Sequence, residues 1–260
     1  MITVDAVTKA YGDTPVLGPV SEVLADRGIT SVIGPNGAGK STLLTIAGRL
    51  AEPDSGAVRV RDGDTAGAAE LDVHRARSAD VAKLVAVLRQ ENHFTARLTV
   101  RELVSFGRFP HSRGRLTPTD VAAVDEALGF LDLTGLQERH LDELSGGQRQ
   151  RAYVAMVLAQ GTRHVLLDEP LNNLDIRHAV RMMRLLRRVA DDLGRAVALV
   201  VHDVNFAAAW SDRIVAVRDG RVVAQGTPQE VVREDVLREV FDTPVRVHVL
   251  DGVPTAVYFR

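Results

Sequence analysis

Short apolar runs alternate along the chain with longer segments of helical periodicity. Continuous aliphatic or β-branched runs predict buried strands of the parallel type at residues 29–33, 84–88, 165–167, 197–201 and 214–217. Apolar positions spaced by three or four residues predict helices between those strands, at residues 40–50, 177–193 and 206–211. This alternation is typical of an α/β domain built on a mainly parallel sheet.

Two regions depart from the alternation of strands and helices. Short strands at residues 3–8, 20–24 and 58–60 predict an N-terminal antiparallel β-subdomain, and its first two strands are separated by a turn rich in glycine and proline, at Gly12, Pro15, Gly18 and Pro19. A helical pattern then runs from residue 91 to residue 153, where Thr99 and Ser145 are predicted to begin helices on either side of an amphipathic segment at 119–131. This stretch predicts an α-helical lobe inserted into the sheet domain.

The chain has room for one large α/β domain with an inserted lobe, and we assign all 260 residues to that single domain. Residues 1–90 and 154–225 form the predicted core with its β-subdomain, and residues 91–153 form the helical lobe. Residues 226–260 form a short tail, in which 245–249 and 256–259 alternate like edge strands. Closing the fold is the predicted role of this tail.

Charge, hydropathy and the lack of cysteine narrow the class of protein. The 32 basic and 34 acidic residues give a formal net charge of −2, which argues against nucleic-acid binding through bulk charge. The longest apolar runs have the length of a strand and cannot span a membrane, and the N-terminus lacks the pattern of a secretion signal. The absence of cysteine excludes disulfides, thiolate metal sites and cysteine nucleophiles, and it fits a reducing cytoplasm.

A glycine-rich loop between a predicted strand and a predicted helix matches the phosphate-binding motif G-x-x-x-x-G-K-[ST]. It consists of Gly34, Pro35, Asn36, Gly37, Ala38, Gly39, Lys40, Ser41 and Thr42. Its glycines let backbone N–H groups turn towards a phosphate, and the following helix adds its N-terminal partial charge. Lys40, one of three lysines in an arginine-rich chain, is predicted to reach the β- and γ-phosphates, and Ser41 to ligate Mg²⁺.

Further motifs follow this loop in a fixed order. The sequence Leu-Ser-Gly-Gly-Gln places a serine and two glycines at a helix start, where they expose hydrogen-bond donors to an anion; its polar residues are Ser145, Gly146, Gly147 and Gln148. The apolar strand at 165–167 ends in Asp168 and Glu169, two adjacent carboxylates that point to opposite sides and are expected to have different roles. The order and content of these motifs resemble the ATPase subunits of ABC transporters over essentially the whole chain.

The resemblance assigns a role to each matching residue. By this resemblance, Asp168 is expected on the metal side with Ser41, and Glu169 next to the attacking water. Gln90 is expected to be the Q-loop sensor of Mg²⁺ and γ-phosphate, and His202 the switch histidine. Asp175 is expected in the D-loop, and Tyr11 is expected to stack on adenine. The implied fold is a P-loop NTPase core with ATP and Mg²⁺ as its cofactors. The implied assembly is a head-to-tail dimer with a second ATPase copy, in which the segment from Ser145 to Gln148 of one copy meets the nucleotide of the other.

The resemblance also implies a place in a transporter. Two transmembrane permease subunits and a substrate-binding protein are the expected partners, nucleic acid is not, and the expected location is the cytoplasmic face of the bacterial inner membrane, as a peripheral subunit. The permease is expected to dock on residues 91–94 and 98–104. Residues 106–111, 155–160 and 171–175 are similar to importers of iron–siderophore complexes, which makes such a complex the expected cargo.

Three other functions remain open at this point. Importers of haem or cobalamin share the phrase at residues 106–111, and a soluble ABC ATPase of cofactor assembly has the same nucleotide motifs. A nucleotide-binding scaffold without catalysis is the third, but the presence of both Glu169 and His202 argues against it. Co-purification with a membrane permease would separate the transporter subunit from the soluble enzyme.

Overall fold

The computed structural model of the protein describes residues 1–61, 70–90 and 96–259. Its strands are β1 (Ile2–Tyr11), β2 (Thr14–Leu24), β3 (Gly28–Ile33), β4 (Ser55–Arg61), β5 (Glu70–Asp72), β6 (Val85–Leu88), β7 (His164–Leu167), β8 (Ala196–Val200), β9 (Arg213–Arg218), β10 (Arg221–Gly226), β11 (Arg246–Leu250) and β12 (Val253–Val257). Its α-helices are α1 (Lys40–Ala47), α2 (Ser78–Val81), α3 (Val100–Phe106), α4 (Phe109–Ser112), α5 (Pro118–Phe130), α6 (Gly146–Ala159), α7 (Ile176–Asp191), α8 (Val204–Trp210), α9 (Pro228–Val231) and α10 (Glu234–Phe241).

The central sheet has the strand order β10-β9-β3-β8-β7-β6. Strands β9, β3, β8, β7 and β6 are parallel, and β10 joins one edge in the antiparallel direction. Every residue of β7 and β8 is buried, as expected of strands that helices cover on both faces. The predicted α/β fold with a mainly parallel sheet is confirmed.

A second, antiparallel sheet of order β2-β1-β4-β5 forms the predicted N-terminal β-subdomain. The prediction of a long turn between its first two strands is wrong, because β2 already begins at Thr14 and contains Pro15, Gly18 and Pro19. Proline lacks the N–H that an inner strand must donate, but β2 lies at the edge of its sheet and tolerates it. Register shifts between β1 and β2 accommodate the glycine and the prolines.

The helical lobe contains α3, α5 and most of α6, and reciprocal hydrogen bonds fix where its helices begin. Thr99 and Glu102 form a capping box at α3, and Thr117 and Asp120 form another at α5. The predicted helix starts at Thr99 and Ser145 agree with the structure. The boundary set at residue 153 falls within α6, and the division of the chain into core, lobe and tail stays a prediction.

A buried arginine fastens this lobe to the core. Arg108 pairs with Asp120 of α5 at 2.8 Å and also donates to the carbonyl of Ala159, at the end of α6, at 2.9 Å. The capping bonds from Thr117, together with Arg108, hold the pKa of Asp120 down at about 2. Gln160, which follows Ala159 at the end of α6, donates its side-chain amide to the carbonyl of Ala82, just before β6, at 2.6 Å. These bonds form a polar junction between the lobe and the core, beside the apolar cluster to which residues of both contribute.

The tail is a β-hairpin, because β11 and β12 pair with each other in the antiparallel direction. Asn205 of α8 exchanges two hydrogen bonds with the backbone of Ala256, so β12 is anchored beside the helix that follows His202. The strand predicted at 245–249 corresponds to β11, whereas the strand predicted at 256–259 is only partly correct, because β12 runs from Val253 to Val257 and residues 258 and 259 lie beyond it. Within the described ranges, we find no helix with the length and apolar character that a membrane span requires.

Candidate functional site

The parallel strands end at a common edge of the sheet, and the predicted site residues follow directly from those ends. Gly34 follows β3, Gln90 follows β6, Asp168 follows β7, and His202 lies two residues after β8. A cleft of about 690 Å³ opens there, lined by Tyr11, Val16, Asn36, Gly37, Ala38, Gly39, Lys40, Ser41, Thr42, Gln90, Glu169, Asn172 and His202. The topology thus brings together residues that are up to about 190 positions apart in the sequence.

Two glycines of the phosphate loop are required by close contacts with the chain around them. Gly34 has a φ of 147°, and a Cβ there would lie 2.0 Å from the carbonyl oxygen of Val217. Gly39 has a φ of 95°, and a Cβ there would lie 2.6 Å from the side chain of Leu17. The loop is therefore fixed in a conformation that leads directly into α1, whose N-terminus favours an anion.

Lys40 is buried at the start of α1 and is held by the loop that precedes it. Its ammonium donates to the carbonyl oxygens of Gly34 at 2.9 Å and Pro35 at 2.8 Å. Burial lowers the pKa of Lys40, and the charges of Glu169 and Asp168 oppose that shift. Phosphate oxygens are acceptors of the same kind and carry a full charge, so they would hold this ammonium more strongly.

Ser41 and Asp168 form an oxygen-rich pair beside the loop. The hydroxyl of Ser41 donates to Asp168 Oδ1 at 2.8 Å, and the carboxylate is only 5% exposed. Burial raises the pKa of Asp168, and the hydrogen bond from Ser41 opposes that change while the charge of Glu169 adds to it. A buried carboxylate next to a hydroxyl offers the oxygen ligands that Mg²⁺ prefers, so the donor set fits this ion.

Glu169 stands at the centre of a hydrogen-bonded cluster. Its Oε2 accepts from Gln90 at 2.7 Å and from Asn172 at 2.6 Å, and its Oε1 lies 2.8 Å from His202 Nε2. Its φ of 52° is left-handed, which costs a residue with a side chain about 1–3 kcal/mol. The strain and the three contacts fix the carboxylate at the mouth of the phosphate loop.

Asn172 is the member of this cluster that sequence reasoning missed. From the sequence, Asn172 was only part of the segment 171–175 that is similar to importers of iron–siderophore complexes. An amide side chain three residues after a carboxylate can reach back to it across a tight turn, and here the backbone N–H of Asn172 also donates to the carbonyl of Glu169 at 3.1 Å. That spacing was the available signal.

Tyr11 lies at the end of β1, where its ring is 53% exposed and lines the cleft. The ammonium of Lys9 lies 5.5 Å from the centre of the ring, and Lys9 is held there by an ion pair with Asp54 at 2.8 Å. One contact with a cation leaves most of the aromatic surface accessible. The predicted stacking of adenine on Tyr11 remains compatible with this position and stays a prediction.

The predicted signature residues belong to the lobe and are not among the described residues that line the cleft. Ser145 caps α6, its hydroxyl accepts from the N–H of Gln148, and its own N–H donates to the Gln148 side chain. Ser145 and Gly146 are exposed to solvent, and Asp175, which caps α7, is exposed as well. The residues that line the cleft and the signature residues of the same chain are therefore two separate sets.

A phosphate loop at the edge of a parallel sheet, with adjacent carboxylates and an inserted helical lobe, defines an ATPase of the P-loop class. The family model for ABC transporter matches residues 17–172, and the chain belongs to that family. It is an ATP-hydrolysing cassette.

Similar proteins cover nearly the whole chain. Petrobactin import ATP-binding protein FatE of Bacillus anthracis is 52% identical over 99% of this chain and 100% of its own, and the corresponding YclP of Bacillus subtilis is 46% identical over both full lengths. An inward-facing ABC transporter of the metal-chelate type has the same fold, with a TM-score of 0.84 at 22% identity over 100% of this chain and 97% of its own. The dimeric bacterial ABC transporter cassette MJ0796 has a TM-score of 0.75 at 28% identity, over 87% and 98%.

Proposed function

We propose that this chain powers the import of an iron–siderophore complex across a bacterial membrane by hydrolysing ATP. The observation that carries the proposal is the position of Glu169, a carboxylate fixed by Gln90, Asn172 and His202 beside a phosphate loop. The cargo rests on the 52% identity, over almost the entire length, with a protein of petrobactin import.

Each residue of the cleft has a task in this reaction. Lys40 and the backbone N–H groups of the loop bind the β- and γ-phosphates, and Glu169 orients the water that attacks the γ-phosphorus. His202 donates to the charge that develops on the transferred phosphoryl group. Three neighbours occupy three of the about four acceptor sites of the Glu169 carboxylate, which leaves Oε1 able to accept from the attacking water as well as from His202.

Magnesium is part of the proposal through the residues that would hold it. Ser41 and Asp168 supply oxygen ligands that already contact each other at 2.8 Å, and Gln90 reaches the same end of the cleft. Mg²⁺ takes few protein ligands and completes its shell with phosphate oxygens and water. When bound, it would neutralise phosphate charge during transfer.

The exposed signature residues favour a head-to-tail dimer. Ser145 and Gly146 present donors at the start of a 14-residue helix, on a part of the chain that does not line its own cleft. In the proposed dimer these donors meet the γ-phosphate in the cleft of the other copy, so that ATP closes the pair and hydrolysis reopens it. The cassette MJ0796, which shares the fold, forms a dimer.

The remaining partners are two permease subunits and a substrate-binding protein, with the chain bound peripherally to the cytoplasmic face of the membrane. Of the two segments proposed to dock on the permease, 91–94 lies outside the described residues, whereas 98–104 comprises Leu98, the N-cap Thr99 and the first five residues of α3. The surface of the lobe around α3 is the proposed contact with the permease.

The proposal is tested by uptake of radioactive iron. The chain is expressed with its own permease and binding protein in a host that cannot import ferric petrobactin, and Glu169→Gln serves as the matched variant. We expect uptake with the natural chain and none with Glu169→Gln, which still binds ATP and dimerises. A Glu169→Gln protein that hydrolyses ATP at the natural rate would contradict the assigned role of the carboxylate.

Uptake of other cargo and co-purification with a permease separate the alternative functions. If haem or cobalamin were taken up instead of a ferric siderophore, the proposed cargo would be wrong and the proposed transport function would still hold. A chain that hydrolyses ATP but never co-purifies with a permease would instead indicate a soluble ATPase of cofactor assembly.

A further inference from the structure

His178, in the first turn of α7, is held by the residue that caps its own helix. Its backbone N–H donates to Asp175 Oδ1 at 2.8 Å, and its ring Nδ1 lies 2.8 Å from the same oxygen. These two bonds are the main reason why the pKa of Asp175 is lowered. The double contact fixes the direction of the imidazole ring, which is otherwise 37% exposed.

The opposite edge of this ring lies against the signature segment. A Cβ added to Gly147 would come within 2.5 Å of His178 Cδ2 and 2.9 Å of its Cγ, whereas a Cβ on Gly146 would meet no atom within 4 Å. Gly147 lies in the regular first turn of α6, where any residue could adopt the backbone conformation. The glycine at 147 is therefore required by the ring of His178 and not by the helix.

Asp175 also belongs to the loop that starts at the catalytic carboxylate. Asn172, in the same loop, donates to Glu169 Oε2 at 2.6 Å, and Asp175 ends the loop three residues later. Contacts join Glu169 to Asn172 at the start of the loop, and Asp175 to His178 and His178 to Gly147 at its end, while the loop backbone connects Asn172 with Asp175. In the proposed dimer Glu169 serves the chain's own ATP and Gly147 serves the ATP of the partner.

We propose that His178 is a positioning residue that couples the two ATP sites of the dimer. The inference rests on the proposed function, because only a head-to-tail pair puts Glu169 and Gly147 of one chain at different nucleotides. When ATP and the attacking water rearrange the hydrogen bonds of Glu169, the loop carrying Asn172 and Asp175 moves, and the ring of His178 transfers that movement to the signature segment. The ring is placed for this role because it bonds to Asp175 at one edge and packs on Gly147 at the other, and chains of such contacts carry coupling between sites.

Two variants remove one edge of the ring contact each. His178→Asn keeps an N–H donor close to the position of Nδ1 but loses the ring atoms that pack on Gly147. His178→Phe keeps a ring against Gly147 but loses the donor to Asp175. Arg184→Asn, an exposed change on the same helix, is the matched control. Each full-length protein is assayed for hydrolysis rate over a range of ATP concentrations and for thermal unfolding.

The natural chain should hydrolyse ATP cooperatively, with a Hill coefficient approaching about 2, the number of coupled sites. We expect both His178 variants to fall to about 1 and Arg184→Asn to stay at the natural value. A purely structural histidine would lower the melting temperature and leave the Hill coefficient unchanged.

Two outcomes would contradict the coupling role of His178, and neither of them would contradict the ATPase function of the chain. Cooperative hydrolysis by both His178 variants removes the role of His178 while the ATPase dimer remains. Hydrolysis by the natural chain with a Hill coefficient of 1 leaves no coupling for His178 to carry. A natural chain without any ATPase activity would contradict the proposed function itself.

Discussion

A buried histidine should make the fold sensitive to mild acid. His164, the first residue of β7, is only 1% exposed, and burial is the largest cause that lowers its pKa from 6.5 to about 4. The carboxylate of Asp26, 3.6 Å from its Nε2, opposes the shift without reversing it. The substitution His164→Gln replaces the imidazole ring with a neutral amide, which cannot titrate in this range and which keeps a polar side chain near Asp26.

The expected size of the effect follows from the difference between the two pKa values. Between pH 6.5 and 4 the unfolded chain binds a proton at His164 that the folded chain refuses, so stability falls as the pH falls through that window. One pKa unit corresponds to about 1.36 kcal/mol, which gives about 2 kcal/mol lost at pH 5 and about 3 kcal/mol below pH 4. Above pH 6.5 the contribution is complete.

Urea unfolding of the nucleotide-free protein at pH 8 and pH 5 measures this loss. All other contributions to the pH dependence are common to every variant, so the quantity of interest is how much smaller the pH-dependent loss of stability becomes in His164→Gln. We expect a reduction of about 2 kcal/mol, and no reduction in His248→Gln, whose ring is exposed on β11. A His164→Gln protein that loses as much stability at pH 5 as the natural chain would refute the reasoning.

Three further predictions concern the cleft and the lobe. Tyr11→Ala should raise KM for ATP about tenfold with kcat unchanged, because stacking on a base contributes about 1–3 kcal/mol, and steady-state kinetics with Tyr11→Phe as control would show it. Asn172→Ala should lower kcat about tenfold at constant KM, since Glu169 loses an orienting donor of about 1.5–3 kcal/mol; equal kcat would contradict this. Gly107→Ala should lose about 1–3 kcal/mol in urea, because its Cβ would lie 2.0 Å from a carbonyl of α6, whereas Gly129→Ala on open α5 surface should not.

The parts of the fold that the sequence predicted are those encoded by neighbouring residues. The phosphate loop depends on glycines within nine positions, and Ser145 begins α6 through a partner only three residues away. Buried strands were recognisable because both of their faces are apolar. For the same local reason, the prolines of β2 were mistaken for a turn: a single sequence does not reveal that a strand will lie at an edge.

The parts that were missed depend on residues far apart in the chain or on an unremarkable side chain. Arg108 belongs to the segment 106–111 that the sequence analysis noted, but nothing in the sequence predicted that it reaches Asp120 and the end of α6 in the folded chain. His178 carries no motif of its own, and its importance arises from Gly147, which lies 31 positions earlier. Contacts of this kind are created by topology, and periodicity or capping rules do not predict them.

The polar junction around Gln160 holds one end of helix α6, so a tilt of the helix would displace its other end the most. Helix α6 is fastened there at its C-terminal end, by Arg108 on one side and by the carbonyl of Ala82 on the other, while Ser145 begins it 14 residues away. At 1.5 Å per residue the arm is about 21 Å long, so a tilt of about 10° at the fastened end sweeps the tip through almost 4 Å. A tilt of that size would therefore move Ser145 by about the reach of a hydrogen bond.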